Sequence, residues 1–129
     1  MAQRRRLKIY FDGGCRPNPG IIEAAVVVRG VTYFFDDLGY GTSSDAEWTA
    51  LRLSLELAQS LDAPEFDLIG DSAEVIGQAT GAAPPRSAAS VKHLTLFRQQ
   101  AAKAPPRRIV WTPRQQNLAG IALARRRAF

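Results

Sequence analysis

Apolar and polar residues alternate at the start of the chain. Leu7, Ile9 and Phe11 fall on one side of the alternation and the residues between them on the other. Successive side chains of a β-strand point to opposite faces, so this pattern predicts a first strand over Leu7–Asp12. The glycines and prolines of residues 13–20, GGCRPNPG, predict a turn directly after it.

The rest of the chain predicts a hairpin followed by alternating helices and strands. β-Branched and aromatic residues on both sides of Gly30 are typical of a hairpin, and apolar residues at three- and four-residue spacing after Asp45 are typical of a helix. The predicted elements after the turn are strands over Ile21–Arg29 and Val31–Phe35, a helix over Asp45–Leu61, a strand over Phe66–Gly70, helices over Ser72–Thr80 and Ser87–Lys103, a strand over Arg108–Thr112 and a helix over Asn117–Arg127.

The helix over Asp45–Leu61 carries two apolar stripes. The stripes consist of Trp48, Leu51, Leu55 and Ala58, and of Leu53, Leu57 and Leu61. A helix that is apolar on two sides is buried on two sides. We therefore expect this helix to lie against the sheet and beneath another helix.

The order of elements predicts an α/β fold. Three consecutive strands form an antiparallel meander, and helical crossovers then add two more strands, which gives a five-stranded mixed sheet flanked by helices. A chain of 129 residues is most simply one domain over residues 1–129. Its first six residues form a basic segment.

The charges are distributed unevenly. Lysine and arginine number 17 and aspartate and glutamate 12, for a net charge of +5. All 12 acids lie at or before Glu74, and residues 75–129 hold 10 basic residues. Such asymmetry favours a polyanionic partner such as nucleic acid, although solvated basic faces would produce the same composition. No residue after Glu74 can supply a carboxylate side chain.

The remaining composition indicates a compartment and excludes a disulfide framework. The chain has one cysteine, Cys15, so it cannot form an intramolecular disulfide, and this fits a reducing compartment. No apolar run approaches the roughly 18 residues that span a bilayer, and no signal peptide is identified. We expect a cytoplasmic protein without a membrane partner.

Three acids are predicted to converge at one edge of the sheet. Asp12 ends the first strand, Asp71 follows the fourth, and Glu47 lies in the first turn of the crossover helix. A right-handed crossover can place the fourth strand parallel to the first, and ligands bind at the carboxyl ends of such strands. Clustered carboxylates need a cation, and oxygen ligands select Mg²⁺ or Mn²⁺. Carboxylate-held metal beside a phosphate-binding loop suits phosphodiester hydrolysis.

Each acid also has a simpler interpretation. Asp12 could be a turn residue before two glycines, and Glu47 a surface acid favoured by the helix dipole. Asp71 could cap the helix that begins at Ser72. The coincidence of all three at one edge favours the metal site.

Four segments carry a resemblance to a known family. Residues 9–20 (IYFDGGCRPNPG), 46–51 (AEWTAL), 70–76 (GDSAEVI) and 111–117 (WTPRQQN) resemble, in this order, the motifs of ribonucleases HI. The chain is therefore identified as a member of the ribonuclease H-like superfamily. The resemblance implies a ribonuclease H-like fold and endonucleolytic cleavage of the RNA strand of RNA–DNA hybrids with Mg²⁺ or Mn²⁺.

The resemblance also assigns residues. It implies that Asp12, Glu47 and Asp71 are the catalytic metal ligands. The residues it implies for nucleic-acid binding are Gly13, Gly14, Cys15, Arg16, Asn18, Gly20, Ser43, Ser44, Arg114 and Asn117. Glycines allow backbone N–H groups to approach phosphate closely, and Asn18 could hydrogen-bond the 2′-hydroxyl that marks RNA.

One departure from the family pattern concerns catalysis. The family's final helix begins Asn-x-x-Ala-Asp, whereas Ile121 stands here in the place of the aspartate. The resemblance implies that this aspartate helps to hold the metal that activates water, so we expect weakened activity. The alternative is a catalytically impaired ribonuclease H-fold protein that binds hybrid or double-stranded nucleic acid. The three retained acids favour the enzyme, and a third alternative is that Ile121 packs against another chain.

Other departures concern substrate binding. Ser43 and Ser44 replace paired asparagines of the family, and the loop before the last helix lacks a histidine. The one histidine, His93, is predicted to be a solvated residue without a role. Residues 81–86 are too few for a large basic protrusion. The arginine runs at residues 4–6 and 125–127 could contact phosphates or fray in solvent.

Overall fold

The computed structural model describes residues 6–127. In chain order its elements are β1 (Leu7–Cys15), β2 (Gly20–Val28), β3 (Val31–Phe35), β4 (Tyr40–Gly41), α1 (Ser43–Ser60), β5 (Phe66–Gly70), α2 (Ala73–Thr80), α3 (Ala88–Ala101), β6 (Arg108–Trp111), a 3₁₀ turn (Arg114–Gln116) and α4 (Leu118–Arg127).

The strands form one mixed sheet in the order β3-β2-β1-β5-β6. β1, β2 and β3 are antiparallel, β5 is parallel to β1, and β6 is parallel to β5. The predicted α/β fold is thus confirmed, with one addition. A sixth strand, β4, pairs with β2 through Ile21 and Tyr40. A strand of two residues has no alternation from which it could be predicted.

Helices cover both faces of the sheet. On one face α1 packs, together with residues of α2 and α3, against the side chains of Ile9, Phe11 and Val26. On the other face α4 packs through Ala119 and Leu123 on a smaller apolar cluster. β2 serves both cores, because its successive residues are buried on opposite faces. This arrangement places α4 and α1 on either side of the carboxyl end of β1.

The first strand is longer than predicted. Residues 13–15 do not turn but continue β1, paired with Ala24, Glu23 and Ile22 of β2. The ladder continues because a glycine in an antiparallel strand still offers its N–H and C=O groups to the partner. The turn is confined to residues 16–19 and contains cis peptide bonds before Pro17 and Pro19.

α1 begins two residues before the predicted start. Thr42 caps it: the Thr42 hydroxyl accepts from the Asp45 N–H, and the Asp45 carboxylate accepts from the Thr42 N–H in return. The first apolar stripe is fully buried, whereas the second is half-buried and Leu61 is exposed. The predicted position of this helix, against the sheet and beneath another helix, is confirmed, and its outer side is less buried than the side that faces the sheet. Among the helices of residues 6–127, none is both long and apolar enough to cross a membrane.

His93 differs from its prediction. Its ring stacks on Trp48, with centroids 5.9 Å apart, and its Nε2 lies 3.0 Å from Oδ1 of Asp45. The side chain is 17% exposed, so His93 is not a solvated residue. It joins α3 to the first turn of α1, away from the three acids.

Candidate active site

The three acids meet where β1 and β5 end. Asp12 lies on β1, and Asp71 directly follows β5. Glu47 is the fifth residue of α1, just beyond the predicted first turn, because the helix begins earlier than expected. One carboxylate oxygen from each lies within 4.8 Å of the other two. The parallel pairing of β1 and β5 brings their carboxyl ends to one edge, as expected from the crossover.

A glycine lets α1 approach β1 closely enough to place Glu47. The Gly13 N–H donates to Oε1 of Glu47 at 2.9 Å. A Cβ atom on Gly13 would lie 2.1 Å from the carbonyl oxygen of Ala46, a distance that no side chain can adopt. The missing side chain therefore allows the first turn of α1 to contact β1.

Asp71 is held by a buried asparagine and does not cap α2. Ser72 is the cap residue, since its hydroxyl accepts from the Val75 N–H at 3.3 Å. The Asn117 Nδ2 group donates to Oδ2 of Asp71 at 2.9 Å and to the Phe11 carbonyl at 3.0 Å. Asn117 is fully buried. The Asn117 amide is therefore used in positioning Asp71, and its contact with nucleic acid stays a prediction.

The electrostatics of the cluster suit a divalent cation. Burial, followed by repulsion from Asp71, raises the pKa of Asp12 to about 7, although Arg114 and Arg127 act in the opposite direction. Burial, followed by repulsion from Asp12, raises the pKa of Glu47 to about 9. Buried carboxylates that resist ionisation are stabilised in their charged form by a cation. The all-oxygen donor set fits Mg²⁺ or Mn²⁺.

These raised pKa values predict that the metal-free protein becomes less stable with rising pH. The folded chain retains protons on Asp12 and Glu47 that the unfolded chain releases near pH 4 to 5, so the free energy of unfolding falls as pH rises through about 7 and about 9. Thermal melts in EDTA at pH values from about 5 to about 9 would measure how steeply the melting temperature falls with pH. Glu47→Gln, which keeps an oxygen acceptor for Gly13, should make this fall less steep. A melting temperature that rises over the same range would contradict the buried cluster.

The loop predicted to meet the RNA strand is tied to α1. Oδ1 of Asn18 accepts from the Ser43 N–H at 3.1 Å and lies 3.7 Å from the buried Cys15 thiol. A Cβ atom on Gly20 would lie 2.2 Å from the Pro17 carbonyl oxygen. The side-chain oxygen of Asn18 therefore links the turn to α1. A 2′-hydroxyl would have to hydrogen-bond to the side-chain nitrogen of Asn18.

A cleft at the acids collects most of the predicted residues. Those that line it are Asp12, Gly13, Gly14, Cys15, Arg16, Ser43, Glu47, Asp71 and Arg114. Asn18, Gly20 and Ser44 lie outside it, and the Ser44 hydroxyl donates to Glu74 at 3.0 Å. For these three residues, as for those that line the cleft, binding to nucleic acid stays a prediction.

One face of α4 forms a wall of the cleft, of which the sequence analysis considered only Arg127, as a possible phosphate contact. Gly120, Leu123, Ala124 and Arg127 line it, whereas Ile121 does not. A Cβ atom on Gly120 would lie 3.5 Å from Oδ2 of both Asp12 and Asp71. The three- and four-residue spacing from Gly120 could have revealed this face.

The arginine runs are partly anchored. Arg4 and Arg5 lie outside the described residues, and Arg6 lies 3.7 Å from the buried Asp67 carboxylate. Arg126 donates to Asp36 at 2.6 Å and lies over the Phe34 ring. The end of α4 is therefore held on β2 and β3 and is not frayed at this residue.

Comparisons with known proteins agree with this geometry. A family model described as reverse transcriptase-like matches residues 10–127. A curated ribonuclease HI of Halobacterium salinarum is 39% identical over 82 residues, which cover 60% of this chain. The chain spans only 41% of the length of that relative.

Two solved structures resemble the whole described fold. The ribonuclease H1 of the halophilic archaeon Halobacterium salinarum superposes with a TM-score of 0.78 at 28% identity, covering 94% of this chain and 99% of the other. The N-terminal ribonuclease H domain of rv2228c from Mycobacterium tuberculosis gives 0.75 at 27% identity, covering 96% and 99%.

Proposed function

The chain belongs to the reverse transcriptase-like family of the ribonuclease H-like superfamily, and on this basis we propose that it is a metal-dependent endoribonuclease that cleaves the RNA strand of RNA–DNA hybrids. The observation that carries the proposal is the convergence of three carboxylates within 4.8 Å at one sheet edge. The relatives named ribonuclease HI and H1 support the same activity.

In the proposed reaction, Asp12, Glu47 and Asp71 would hold Mg²⁺ or Mn²⁺. When bound, the ion supplies positive charge that activates a water molecule and neutralises the phosphate. The protein's own contribution is orientation. The Gly13 N–H fixes the Glu47 carboxylate and the Asn117 amide fixes that of Asp71. Such prior alignment lowers the reorganisation needed at the moment of reaction.

A second candidate function is hybrid binding without cleavage. It is favoured by Ile121 and by the absence of any acid after Glu74, which together leave α4 without a carboxylate. A labelled RNA–DNA hybrid incubated with Mg²⁺ and, separately, with Mn²⁺ distinguishes the two functions. Fragments of the RNA strand support the endoribonuclease, provided that an all-DNA duplex of equal length stays intact. Binding without fragments in either metal supports the second function.

Hybrid binding is expected to weaken steeply with salt and to vary little with base sequence. Residues 75–129 hold 10 basic residues and no acidic residue, so contacts with phosphate should dominate the binding. Each phosphate contact contributes about −0.9 to the slope of log K against log salt for duplex B-DNA, which serves as a guide for a hybrid. Fluorescence anisotropy on two hybrids of equal length and different sequence would measure both properties. A flat response to salt would contradict a phosphate-dominated interface.

A further inference from the structure

Arg127 is fixed at the wall of the acidic cleft. Its Nε group donates to Oε1 of Glu23, and Glu23 is paired with Gly14 across the β1–β2 ladder. The guanidinium packs on Gly14, where a Cβ atom would lie 2.7 Å from Nη2. The side chain is 20% exposed. Arg127 is thus anchored through one edge of its guanidinium and lines the cleft beside Asp12.

One nitrogen of the same guanidinium lacks a hydrogen-bond acceptor. Nη2 is shielded from solvent and has no hydrogen-bond partner among residues 6–127. Arginine carries five N–H donors and no acceptor, and its planar edge matches the oxygens of a phosphate. A buried donor without an acceptor is unfavourable. Because Arg127 lines the cleft and its side chain is 20% exposed, an anionic group in the cleft would reach the guanidinium through its exposed part.

The charge of Arg127 lies where α4 offers no acid. Arg127 is one helical turn beyond Leu123 and two beyond Gly120, on the face of α4 that lines the cleft. Its guanidinium lines the same cleft as Asp12, so it brings a positive charge close to the three carboxylates. By contrast, Arg126 is directed to Asp36 and Phe34, and Arg125 is exposed.

We infer that Arg127 binds a phosphate group of the RNA strand inside the cleft, on the side formed by α4. The inference rests on the proposed function for the identity of the strand. It makes Arg127 a substrate-binding residue, and it predicts that substrate and metal respond in opposite directions when the arginine is removed. Without Arg127 a phosphate loses its partner, whereas a divalent cation loses a repelling positive neighbour. The Glu23 carboxylate keeps a cationic neighbour in either case, because Arg126 lies 3.7 Å from it.

Two measurements on the whole chain test the inference. The first is the affinity of Arg127→Ala for an RNA–DNA hybrid in EDTA, where a loss of about tenfold and a salt slope smaller by about 1 are expected. The second is Mg²⁺ affinity by calorimetry without nucleic acid, which should be equal or higher. Arg125→Ala is the matched control, because it removes the same charge from an exposed position of the same helix. Arg127→Lys should retain part of the hybrid affinity.

The outcomes separate this inference from a structural role. If Arg127→Ala binds hybrid as Arg125→Ala does, the inference is overturned. A loss of both hybrid and Mg²⁺ affinity also overturns it, since it indicates collapse of the cleft. If Arg127→Ala does not fold, Arg127→Gln is measured under the same criteria. A wild-type chain that cleaves no hybrid refutes the proposed function, but selective loss of hybrid binding in Arg127→Ala still supports the phosphate contact.

Discussion

Asp12→Asn is expected to abolish hybrid cleavage and, in the absence of metal, to raise the melting temperature. Asp12 interacts electrostatically with both Glu47 and Asp71, so its replacement removes a carboxylate oxygen from the proposed metal site. A rate loss of at least about a thousandfold, or about 4 kcal/mol of barrier, is expected. The same substitution relieves carboxylate repulsion. Near pH 8 it should add about 1 kcal/mol to the free energy of unfolding, which corresponds to several degrees in a domain of this size.

The measurements are initial cleavage rates in Mg²⁺ and thermal melts in EDTA at the same pH. Asp62→Asn is the matched control, because Asp62 is exposed and has a positive φ of 54°, which asparagine also tolerates. It should leave the cleavage rate unchanged. An Asp12→Asn protein that cleaves at the wild-type rate would show that Asp12 is not a ligand. One that melts well below the wild type in EDTA would show that the acids do not repel one another.

Ile121→Asp is expected to increase Mg²⁺-dependent cleavage by about tenfold or more, a change of at least about 1.4 kcal/mol in the barrier. Position 121 is where the family resemblance places a fourth acid. It lies in the first turn of α4, where the Ile121 N–H donates to the Asn117 carbonyl at 2.9 Å. By the family resemblance, a carboxylate there would add an oxygen donor from α4, although Ile121 itself does not line the cleft. The variant should be less stable without metal, because a partly buried apolar side chain is lost and a negative charge is added. Saturating Mg²⁺ should recover part of that loss.

Gly120→Asp is the comparison variant, because it tests which position of α4 can supply a fourth carboxylate. The structure places the Cβ of position 120, not the side chain of Ile121, in the cleft, 3.5 Å from two carboxylate oxygens. Rates for both variants are compared with the wild type at matched Mg²⁺. If only Gly120→Asp is faster, the fourth ligand position is 120, as the contacts of α4 with the acids indicate. It is then not 121, the position that the family resemblance indicates. If neither is faster than a fully active wild type, three acids suffice and the expected weakening was wrong.

The mixed sheet and the convergence of the acids could be predicted because both depend on local patterns. The alternation at Leu7–Phe11 and the spacing of apolar residues in α1 indicate which faces of these elements are buried. The parallel crossover then brings the carboxyl ends of β1 and β5 together, and this does not depend on the conformation of the loops. The metal-binding roles of Asp12, Glu47 and Asp71 stay predictions, but their proximity is a property of the fold.

The features that escaped prediction depend on contacts between distant segments. β4 exists because Tyr40 meets Ile21 of β2, and no pattern within two residues reveals such a pairing. Asn117 looks like a polar surface residue until α4 docks on the sheet and buries it against Phe11 and Asp71. His93 is similar, since its partners Trp48 and Asp45 belong to another helix. A sequence shows that such residues are polar or aromatic, but only the docked structure shows what they contact.

The close contact of β1 with α1 implies different evolutionary fates for two neighbouring residues. Any side chain at Gly13 would collide with the Ala46 backbone, so selection for folding alone preserves this glycine, even in a lineage that no longer needs a nuclease. Asp12 has no such protection, because its replacement is expected to relieve repulsion and to stabilise the metal-free fold. A descendant freed from catalysis would lose Asp12 early and keep Gly13 for long. Among distant relatives, we therefore expect an intact Asp12 to indicate continued use of the proposed metal site, and an intact Gly13 to indicate only that the fold persists.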